Sequence, residues 1–188
     1  MIESFDNDKV FKFLHIPVQS GSDKVLHDMK RGHTSETFRE IVKKTKNRFE
    51  NFTISTDIIV GFPSETEEDF QKTLTLLDET KPDVVNLSKY SARPGTDAAE
   101  LKQIDAAEIK RRSKIIFEQI NKISLESNKK WIGWKGKVLF DENTEEGIKG
   151  RNYAYKPIAV QEDVKIGDSY IVEIIDATRK RLIGKIAS

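Results

Sequence analysis

The sequence predicts an α/β protein, a partial parallel (βα) barrel followed by a small antiparallel β-barrel. Apolar runs alternate three times with amphipathic helical segments, which is typical of parallel strands covered by helices. After residue 130, short β-prone runs separated by glycines replace this alternation, as in small antiparallel barrels. We therefore predict two domains, residues 1–128 and residues 129–188.

Each of the three repeated units begins with a predicted strand, at residues 11–18, 53–62 and 84–90. All three runs are apolar on both faces, so we expect a sheet that is buried on both sides. Three strands are too few to close a barrel, which usually has about eight. We therefore expect further strands upstream. The first strand, between Phe11 and Val18, should then be an exposed edge that favours self-association.

Capping side chains predict where the main helices begin. Thr34 precedes the second helical segment, and a residue of this type accepts a hydrogen bond from the first turn. Ser64 with Glu67, and Asp105 with Glu108, have the spacing of a capping box, in which two side chains satisfy backbone N–H groups reciprocally.

Composition excludes several classes of function. Hydrophobic residues make up 37% and charged residues 34% of the 188 positions, which predicts a folded, well-solvated chain. No apolar run approaches the length of a membrane span, and the start of the sequence has no secretory pattern, so we expect a cytoplasmic protein without membrane contact. Because the sequence contains no cysteine, disulfides and thiolate-bound iron–sulfur clusters are excluded.

Charge is distributed unevenly along the chain. The net charge is −4 over residues 1–101, +6 over residues 102–137 and −1 over residues 138–188. A positive stretch of this size either attracts phosphates or forms a solvated helix face. The three histidines show no metal-ligand spacing, so we predict no metal site built from side chains and assign no catalytic residue.

Polar loops follow the three predicted strands, at residues 19–22, 61–66 and 91–96. Because the carboxyl ends of parallel strands meet at one edge of a sheet, we expect these loops to converge around a polar ligand. Gln19 and Ser20 offer neutral donors and acceptors, Gly21 and Gly61 allow close backbone approach, and Arg93 offers a forked cation for a carboxylate or phosphate. Each glycine, taken alone, is more simply a turn residue.

Two titratable residues lie in or beside the predicted strands. Asp57 shares a strand face with Ile59 and Gly61, so we expect a buried carboxylate with a functional or network role. His15 lies near the end of the first strand, where a hydrogen-bonded core histidine is a more common finding than a base.

Three long motifs carry a family resemblance: HIPVQSGSDKVLHDMKRGHT, TDIIVGFPSETEEDF and YSARPGTDAA. Their order and spacing resemble those of the methylthiotransferase family of radical S-adenosylmethionine enzymes. The stretch from GKVLF to LIGKI is similar to the RNA-binding TRAM domain that closes those proteins. The resemblance covers residues 11–186. It implies the last three units of a (βα)6 radical S-adenosylmethionine barrel followed by a TRAM domain.

The same resemblance implies cofactors, because full-length members bind S-adenosylmethionine and hold 4Fe-4S clusters on cysteines that this chain lacks. We therefore expect no cluster on this chain and no activity from it alone. Ser64 stands where glycine is usual in the family motif, a departure that matters little unless the position is left-handed. The residues that would face the cofactor are Gln19, Ser20, Gly21, Asp57, Gly61 and Arg93.

Transfer RNA is the partner that the resemblance implies. The motifs look most like those of the archaeal and eukaryotic members that methylthiolate threonylcarbamoyladenosine beside the anticodon. Alternatives are action on isopentenyladenosine or a ribosomal protein, a non-catalytic RNA- or partner-binding module, and an unrelated phosphate-binding barrel enzyme. The residues that we predict to contact RNA combine cations with rings on which bases can stack: Lys149, Arg151, Tyr153, Tyr155 and Lys156. For the two tyrosines, packing in the core of the barrel is an alternative to base stacking.

Overall fold

The computed structural model describes residues 2–144 and 147–187. The chain divides into two compact units. The α/β unit comprises residues 15–48 and 54–123, and the barrel unit comprises residues up to Leu14, residues 49–53 and residues from Ser124 onward. The domain limit between residues 128 and 129 stays a prediction; by contacts alone, the first residues group with the barrel.

Three strands form a sheet in the order β1–β2–β3. Strand β3 and all of β2 except Thr53 belong to the α/β unit, whereas His15 is the one residue of β1 that does. Strands β2 and β3 pair in parallel, with Ser55 opposite Val84 and Val60 opposite Lys89, so the predicted parallel sheet is confirmed. The elements are β1 (Phe13–His15), α1 (Asp23–Asp28), α2 (Ser35–Arg48), β2 (Thr53–Val60), α3 (Glu67–Thr80), β3 (Val84–Lys89), α4 (Asp97–Glu100) and α5 (Ala106–Lys129).

The sheet is buried on both faces only over the first half of β2, where residues 53–56 are all buried. Along the second half of β2 and along β3 burial is one-sided, so the expectation of a sheet covered on both faces is wrong there. Ile58 and Val60 of β2 are fully buried, whereas the alternating residues Asp57 and Ile59 are only partly buried. On β3, Asn86 and every second neighbour are exposed. Side chains alternate between faces along a strand, so one face packs and the other is open.

Strand β1 is shorter than the predicted run of residues 11–18, because backbone N–H groups are diverted or missing on both sides of it. The N–H of Lys12 donates to the carbonyl of Tyr153 at 2.8 Å within the barrel unit. Pro17 has no N–H to donate to a strand ladder. The chain regains the sheet at Gln19, which forms an isolated parallel bridge with Ile58.

The N-cap of helix α3 lies two residues later than predicted. The capping box is formed by Thr66 and Asp69 rather than by Ser64 and Glu67: the Thr66 hydroxyl accepts from the Asp69 N–H at 3.2 Å, and the Asp69 carboxylate accepts from the Thr66 N–H at 3.0 Å. The Ser64 hydroxyl instead donates to Asp28 at 2.5 Å. Ser64 has no positive φ, so the position does not require glycine.

The other predicted caps are confirmed in part. The Thr34 hydroxyl accepts from the N–H of Thr37 at 3.2 Å at the start of α2. At the start of α5, Asp105 accepts from the N–H of Ala107 at 2.8 Å, whereas Glu108 bonds arginine side chains. No helix within residues 2–144 and 147–187 combines the length and apolarity that spanning a membrane requires.

The barrel unit contains a closed five-stranded barrel in the order β4–β5–β6–β8–β7. Its pairs are antiparallel except for β6 with β8, which run parallel. A closed ring with an odd number of strands cannot be antiparallel throughout, so the barrel is as predicted apart from this pair. Val138, Phe140, Ile158 and Val172 form part of its core. The strands are β4 (Lys135–Thr144), β5 (Gly147–Arg151), β6 (Pro157–Ala159), β7 (Ser169–Ala177) and β8 (Leu182–Ile186).

Candidate functional site

A cleft of about 520 Å³ opens beside the carboxyl ends of β2 and β3 in the α/β unit. Gln19, Asp57 and Arg93 line it, so half of the six residues predicted to face a cofactor come together here. Each comes from a different segment: Gln19 follows β1, Asp57 lies within β2, and Arg93 follows β3. This cleft, which we call the strand-end cleft, therefore forms where the parallel topology predicts that the loops converge.

Gln19 enters the cleft from a strained backbone position. Its φ of 72° lies in the left-handed region, which non-glycine residues seldom adopt. Two sheet hydrogen bonds hold it there: its N–H donates to the carbonyl of Asp57 at 2.8 Å, and its carbonyl accepts from the N–H of Ile59 at 2.9 Å. Such strain costs roughly 1–3 kcal/mol and is concentrated at binding sites.

Asp57 is the centre of a polar network on the open face of the sheet. Its Oδ1 lies 3.1 Å from Nε2 of His15 and accepts from Nδ2 of Asn86 at 2.9 Å. The side chain of Asp57 is 31% exposed and that of His15 is 40% exposed. The expected buried carboxylate and core histidine are therefore both wrong, because this face of the sheet is open. The expected network around Asp57 is confirmed.

Charges of both signs line the cleft. Arg31, Lys89 and Arg93 contribute cations, and Asp57 contributes a carboxylate. The Thr96 hydroxyl donates to the carbonyl of Arg93 at 2.8 Å and so shapes the loop that carries this arginine. Arginine binds carboxylates through a planar fork, and a carboxylate such as Asp57 accepts from an ammonium group. The donor set therefore suits the zwitterionic end of an amino acid.

Ser20 and Gly21 lie away from this cleft and contact helix α3. The N–H of Gly21 donates to the Thr73 hydroxyl at 2.9 Å, and the Ser20 hydroxyl lies 3.4 Å from the same oxygen. A Cβ on Gly21 would lie 2.4 Å from the carbonyl oxygen of Lys72, which is too close for any side chain. Gly21 therefore permits close packing of loop and helix, and a ligand contact by either residue stays a prediction.

Gly61 is placed against helix α5. Its φ is 83°, and an added Cβ would lie 2.7 Å from the side chain of Ile109. The N–H of Gly61 donates to Oε2 of Glu65 at 2.9 Å. The turn after β2 thus requires glycine for conformation and space, and its role beside a ligand also stays a prediction.

A buried ion pair, absent from our sequence predictions, fixes that turn. Glu65 Oε2 and Arg112 Nη1 are 2.8 Å apart, and the two side chains are only 1% and 6% exposed. Burial raises the pKa of Glu65, although hydrogen bonds from Gly61 and Arg112 oppose the increase. Arg112 also donates to the backbone carbonyl of Glu65 at 3.0 Å. The pair therefore links the strand-end turn to α5.

A second cleft, of about 650 Å³, lies on the barrel unit and is basic. It combines Lys149 and Arg151 of β5 with Arg179, Lys180 and Arg181 of the turn between β7 and β8. Two of the five predicted RNA-contacting residues are therefore here. The basic turn was missed, although the sequence TRKR contains the signal.

Acidic neighbours partly neutralise the two β5 cations. Lys149 Nζ lies 2.6 Å from Glu142 Oε2, and Arg151 approaches Asp141 at 3.7 Å. The Lys149 ammonium holds the pKa of Glu142 below its ordinary value. Lys180 is exposed on the turn, so the turn supplies positive charge beyond these pairs.

The remaining predicted RNA contacts occupy different surroundings. The Tyr155 ring lies under the guanidinium of Arg151, 4.2 Å away. Tyr153 packs near Trp131, with ring centroids 6.0 Å apart, and burial raises its pKa. Lys156 is buried, with Nζ 3.1 Å from Asn128 Oδ1. The tyrosines thus combine packing with partial exposure, and Lys156 faces inward.

The donor sets discriminate between the implied cofactors. Within residues 2–144 and 147–187, no group of three or more His, Cys, Asp or Glu side chains is arranged to hold a metal ion. Iron–sulfur clusters are bound by thiolates, and the sequence has no cysteine. The residues of this chain therefore do not fit a cluster, whereas the strand-end cleft fits an amino-acid group.

Sequence comparisons identify close relatives along the whole chain. The model of the Radical SAM superfamily matches residues 2–77. A protein of Archaeoglobus fulgidus, named probable threonylcarbamoyladenosine tRNA methylthiotransferase, is 46% identical over 192 residues, covering 100% of this chain and 44% of the relative. A protein of Methanocaldococcus jannaschii with the same name is 45% identical, with 99% and 42% covered.

A relative with lower identity carries a different name. The tRNA-2-methylthio-N(6)-dimethylallyladenosine synthase of Ruegeria sp. is 36% identical, covering 95% of this chain and 41% of the relative. The chain thus spans less than half the length of these curated relatives.

Among solved structures, coproporphyrinogen III oxidase (HemN) from Escherichia coli, a radical SAM enzyme, has a similar fold. The TM-score is 0.53 at 17% identity, covering 100% of this chain and 49% of that chain. At this identity the likeness concerns the fold alone.

Proposed function

The chain belongs to the methylthiotransferase family of radical S-adenosylmethionine proteins, and we propose that it is part of an enzyme that methylthiolates threonylcarbamoyladenosine beside the tRNA anticodon. The observation that carries this proposal is 46% identity along the whole chain to the Archaeoglobus fulgidus relative of that name. Identity to the dimethylallyladenosine enzyme of Ruegeria sp. is lower, at 36%. This difference favours threonylcarbamoyladenosine over isopentenyladenosine as the substrate. These relatives are all named for tRNA, which favours tRNA over a ribosomal protein.

The architecture is assigned within the same proposal. The three parallel strands correspond to the last three units of a (βα)6 barrel, and the five-stranded barrel corresponds to a TRAM domain. The open face of the sheet, on which Asp57 is partly buried and Asn86 is exposed, is consistent with strands that face the interior of a larger barrel.

The strand-end cleft would bind the amino-acid end of S-adenosylmethionine. Asp57 would accept from its ammonium group, and Arg93 with Arg31 would bind its carboxylate. Bound there, the cofactor supplies the radical chemistry and the methyl group of the family. His15 and Asn86 keep the Asp57 carboxylate oriented toward the cleft. Ser20, Gly21 and Gly61 support the loops behind it.

The basic cleft of the barrel unit would bind tRNA. Lysine and arginine side chains bind phosphates and release counterions, so this binding should weaken as salt increases. Arg151 stacked on Tyr155 also offers a flat surface for a base. The set that we assign to the RNA interface also includes Lys149 and Tyr153. Lys156, which is buried, would support this surface from below rather than touch the RNA.

Analysis of modified nucleosides tests the proposed activity. We expect tRNA from cells that lack the full gene to lose 2-methylthio-threonylcarbamoyladenosine and to accumulate threonylcarbamoyladenosine. Reintroducing the gene should restore the product. Loss of the methylthio group from isopentenyladenosine instead would contradict the assigned substrate.

A non-catalytic RNA- or partner-binding module is the second candidate, favoured by the absence of cysteine from the chain. It predicts that deletion of the gene leaves every methylthio nucleoside in place.

We also infer self-association through the edge at residues 11–18, where β1 has β2 as its neighbour in the sheet. Sedimentation of a monomer at every concentration would contradict this pairing.

A further inference from the structure

A groove of about 680 Å³ runs between strand β3 and helix α5 in the α/β unit. Lys89 of β3 and Lys110 and Lys114 of α5 line it, together with the ring of Phe117. It is distinct from the strand-end cleft, although Lys89 belongs to the lining of both.

The spacing of the α5 residues places them on one stripe of the helix. Lys110, Lys114 and Phe117 are separated by four and three positions, so successive turns present them on the same side. Ser113 lies between them on this stripe and adds a hydroxyl to the groove.

The lysines of this stripe belong to the stretch of residues 102–137, whose net charge is +6. No residue of this stretch lines the strand-end cleft. The neighbouring arginines of α5 are engaged elsewhere: Arg111 bonds Glu67 at 2.6 Å, and Arg112 bonds the buried Glu65 at 2.8 Å. Lys114 lies 4.0 Å from the carboxylate of Glu118, which is the limit of an ion pair. The groove therefore carries positive charge, whereas the charges of Arg111 and Arg112 beside it are neutralised by glutamates.

An apolar surface accompanies these cations. Phe117 is 50% exposed, whereas Ile116, Ile120 and Ile123 of the same helix are buried. Val85 and Leu87 of β3 line the groove beside it, and Asn86 adds an amide. Strand β3 lies at the end of the sheet order, so its outer edge has no neighbouring strand among the residues that the structure describes.

We propose that the β3–α5 groove binds a single-stranded segment of the RNA substrate, with phosphates on its three lysines and a base against Phe117. Alternating cations with an exposed ring is the pattern that binds single strands without reading sequence. Charge complementarity selects a polyanion, because three cations line the groove. This surface rests on the proposed function for its substrate class and adds a contact surface outside the barrel unit.

Charge reversal with a matched control tests the phosphate contacts. The 188-residue chain and its variants are titrated with a fluorescent anticodon stem-loop RNA, followed by anisotropy. We expect the double variant Lys110→Glu, Lys114→Glu to bind at least about tenfold more weakly and to lower the salt slope by about two. Lys122→Glu changes an exposed lysine of the same helix that does not line the groove, and it should remain close to wild type.

Aromatic substitutions test the base contact separately. Phe117→Ala should weaken binding by about tenfold, whereas Phe117→Tyr should retain it, because stacking requires a ring. Circular dichroism confirms that each variant is folded before titration.

Equal weakening by the groove variants and by Lys122→Glu would overturn the proposal, because the effect would then be general charge. Unchanged RNA affinity would also overturn it, and a concurrent change in sedimentation would assign the groove to protein contact. Nucleoside analysis of the gene deletion is independent of this assay, so failure of the groove leaves the proposed activity intact.

Discussion

Replacing Arg112 by methionine should strongly destabilise the α/β unit. The substitution keeps most of the side-chain volume but leaves the buried Glu65 carboxylate without its arginine partner. The N–H of Gly61 still donates to this carboxylate. Removing one partner of a buried ion pair typically costs about 3–5 kcal/mol. Part of this cost is relieved if Glu65 binds a proton, and burial already raises its pKa. We therefore expect a loss of about 3 kcal/mol at neutral pH.

Arg111→Met is the matched control, since the neighbouring arginine loses ion pairs that are exposed. Arg111 bonds Glu67 and Glu108, and its own side chain is 46% exposed. Exposed pairs contribute little, so this variant should remain close to wild type. Urea unfolding followed by helical circular dichroism gives both free energies of unfolding. Equal losses for the two variants would refute the assignment of Glu65–Arg112 as the pair that holds the strand-end turn.

Three further predictions follow from individual contacts. Gly21→Ala should lower the free energy of unfolding by roughly 1–3 kcal/mol, because the added Cβ overpacks helix α3. Gly32→Ala, with nothing within 4 Å of the added Cβ, should not destabilise the protein, and thermal unfolding compares the two variants. Burial opposes the charge of Asp69, but hydrogen bonds from Ser22 and Thr66 outweigh it and hold its pKa well below the ordinary value. Its contribution should thus be complete above about pH 4 and lost as the pH falls further, and Asp69→Asn should flatten that dependence in acid unfolding curves. Lys180→Glu should weaken tRNA binding and reduce its salt slope by about one in filter-binding titrations.

The arrangement of elements followed from local patterns. Alternating apolar and helical segments predicted the parallel order of β2 and β3, and glycine-spaced runs predicted the barrel. Loops after parallel strands share an edge, which is why Gln19 and Arg93 were predicted to lie together and do line one cleft. The loop residue Gly61 does not line it, and Asp57, which does, was predicted to face the cofactor from the family resemblance.

Long-range features were not accessible to the same reasoning. The exposure of Asp57 depends on what covers the sheet, and strand periodicity says only which residues share a face. Glu65 and Arg112 are 47 residues apart, so their pairing arises from the packing of α5 against the turn. The cap at Thr66 was missed because Ser64 had equally suitable spacing, and hydrogen bonding to Asp28 decided between them.

Complementation with cleft variants of the full gene tests most directly whether the strand-end cleft serves a tRNA methylthiotransferase. A deletion strain would carry the gene with Arg93→Ala, with Asp57→Ala, or with Lys44→Ala, which changes an exposed residue paired with Glu40 and lies outside the cleft. At equal protein levels, we predict that the two cleft variants accumulate threonylcarbamoyladenosine without its methylthio group and that Lys44→Ala restores the product. Full methylthiolation by both cleft variants would contradict the account.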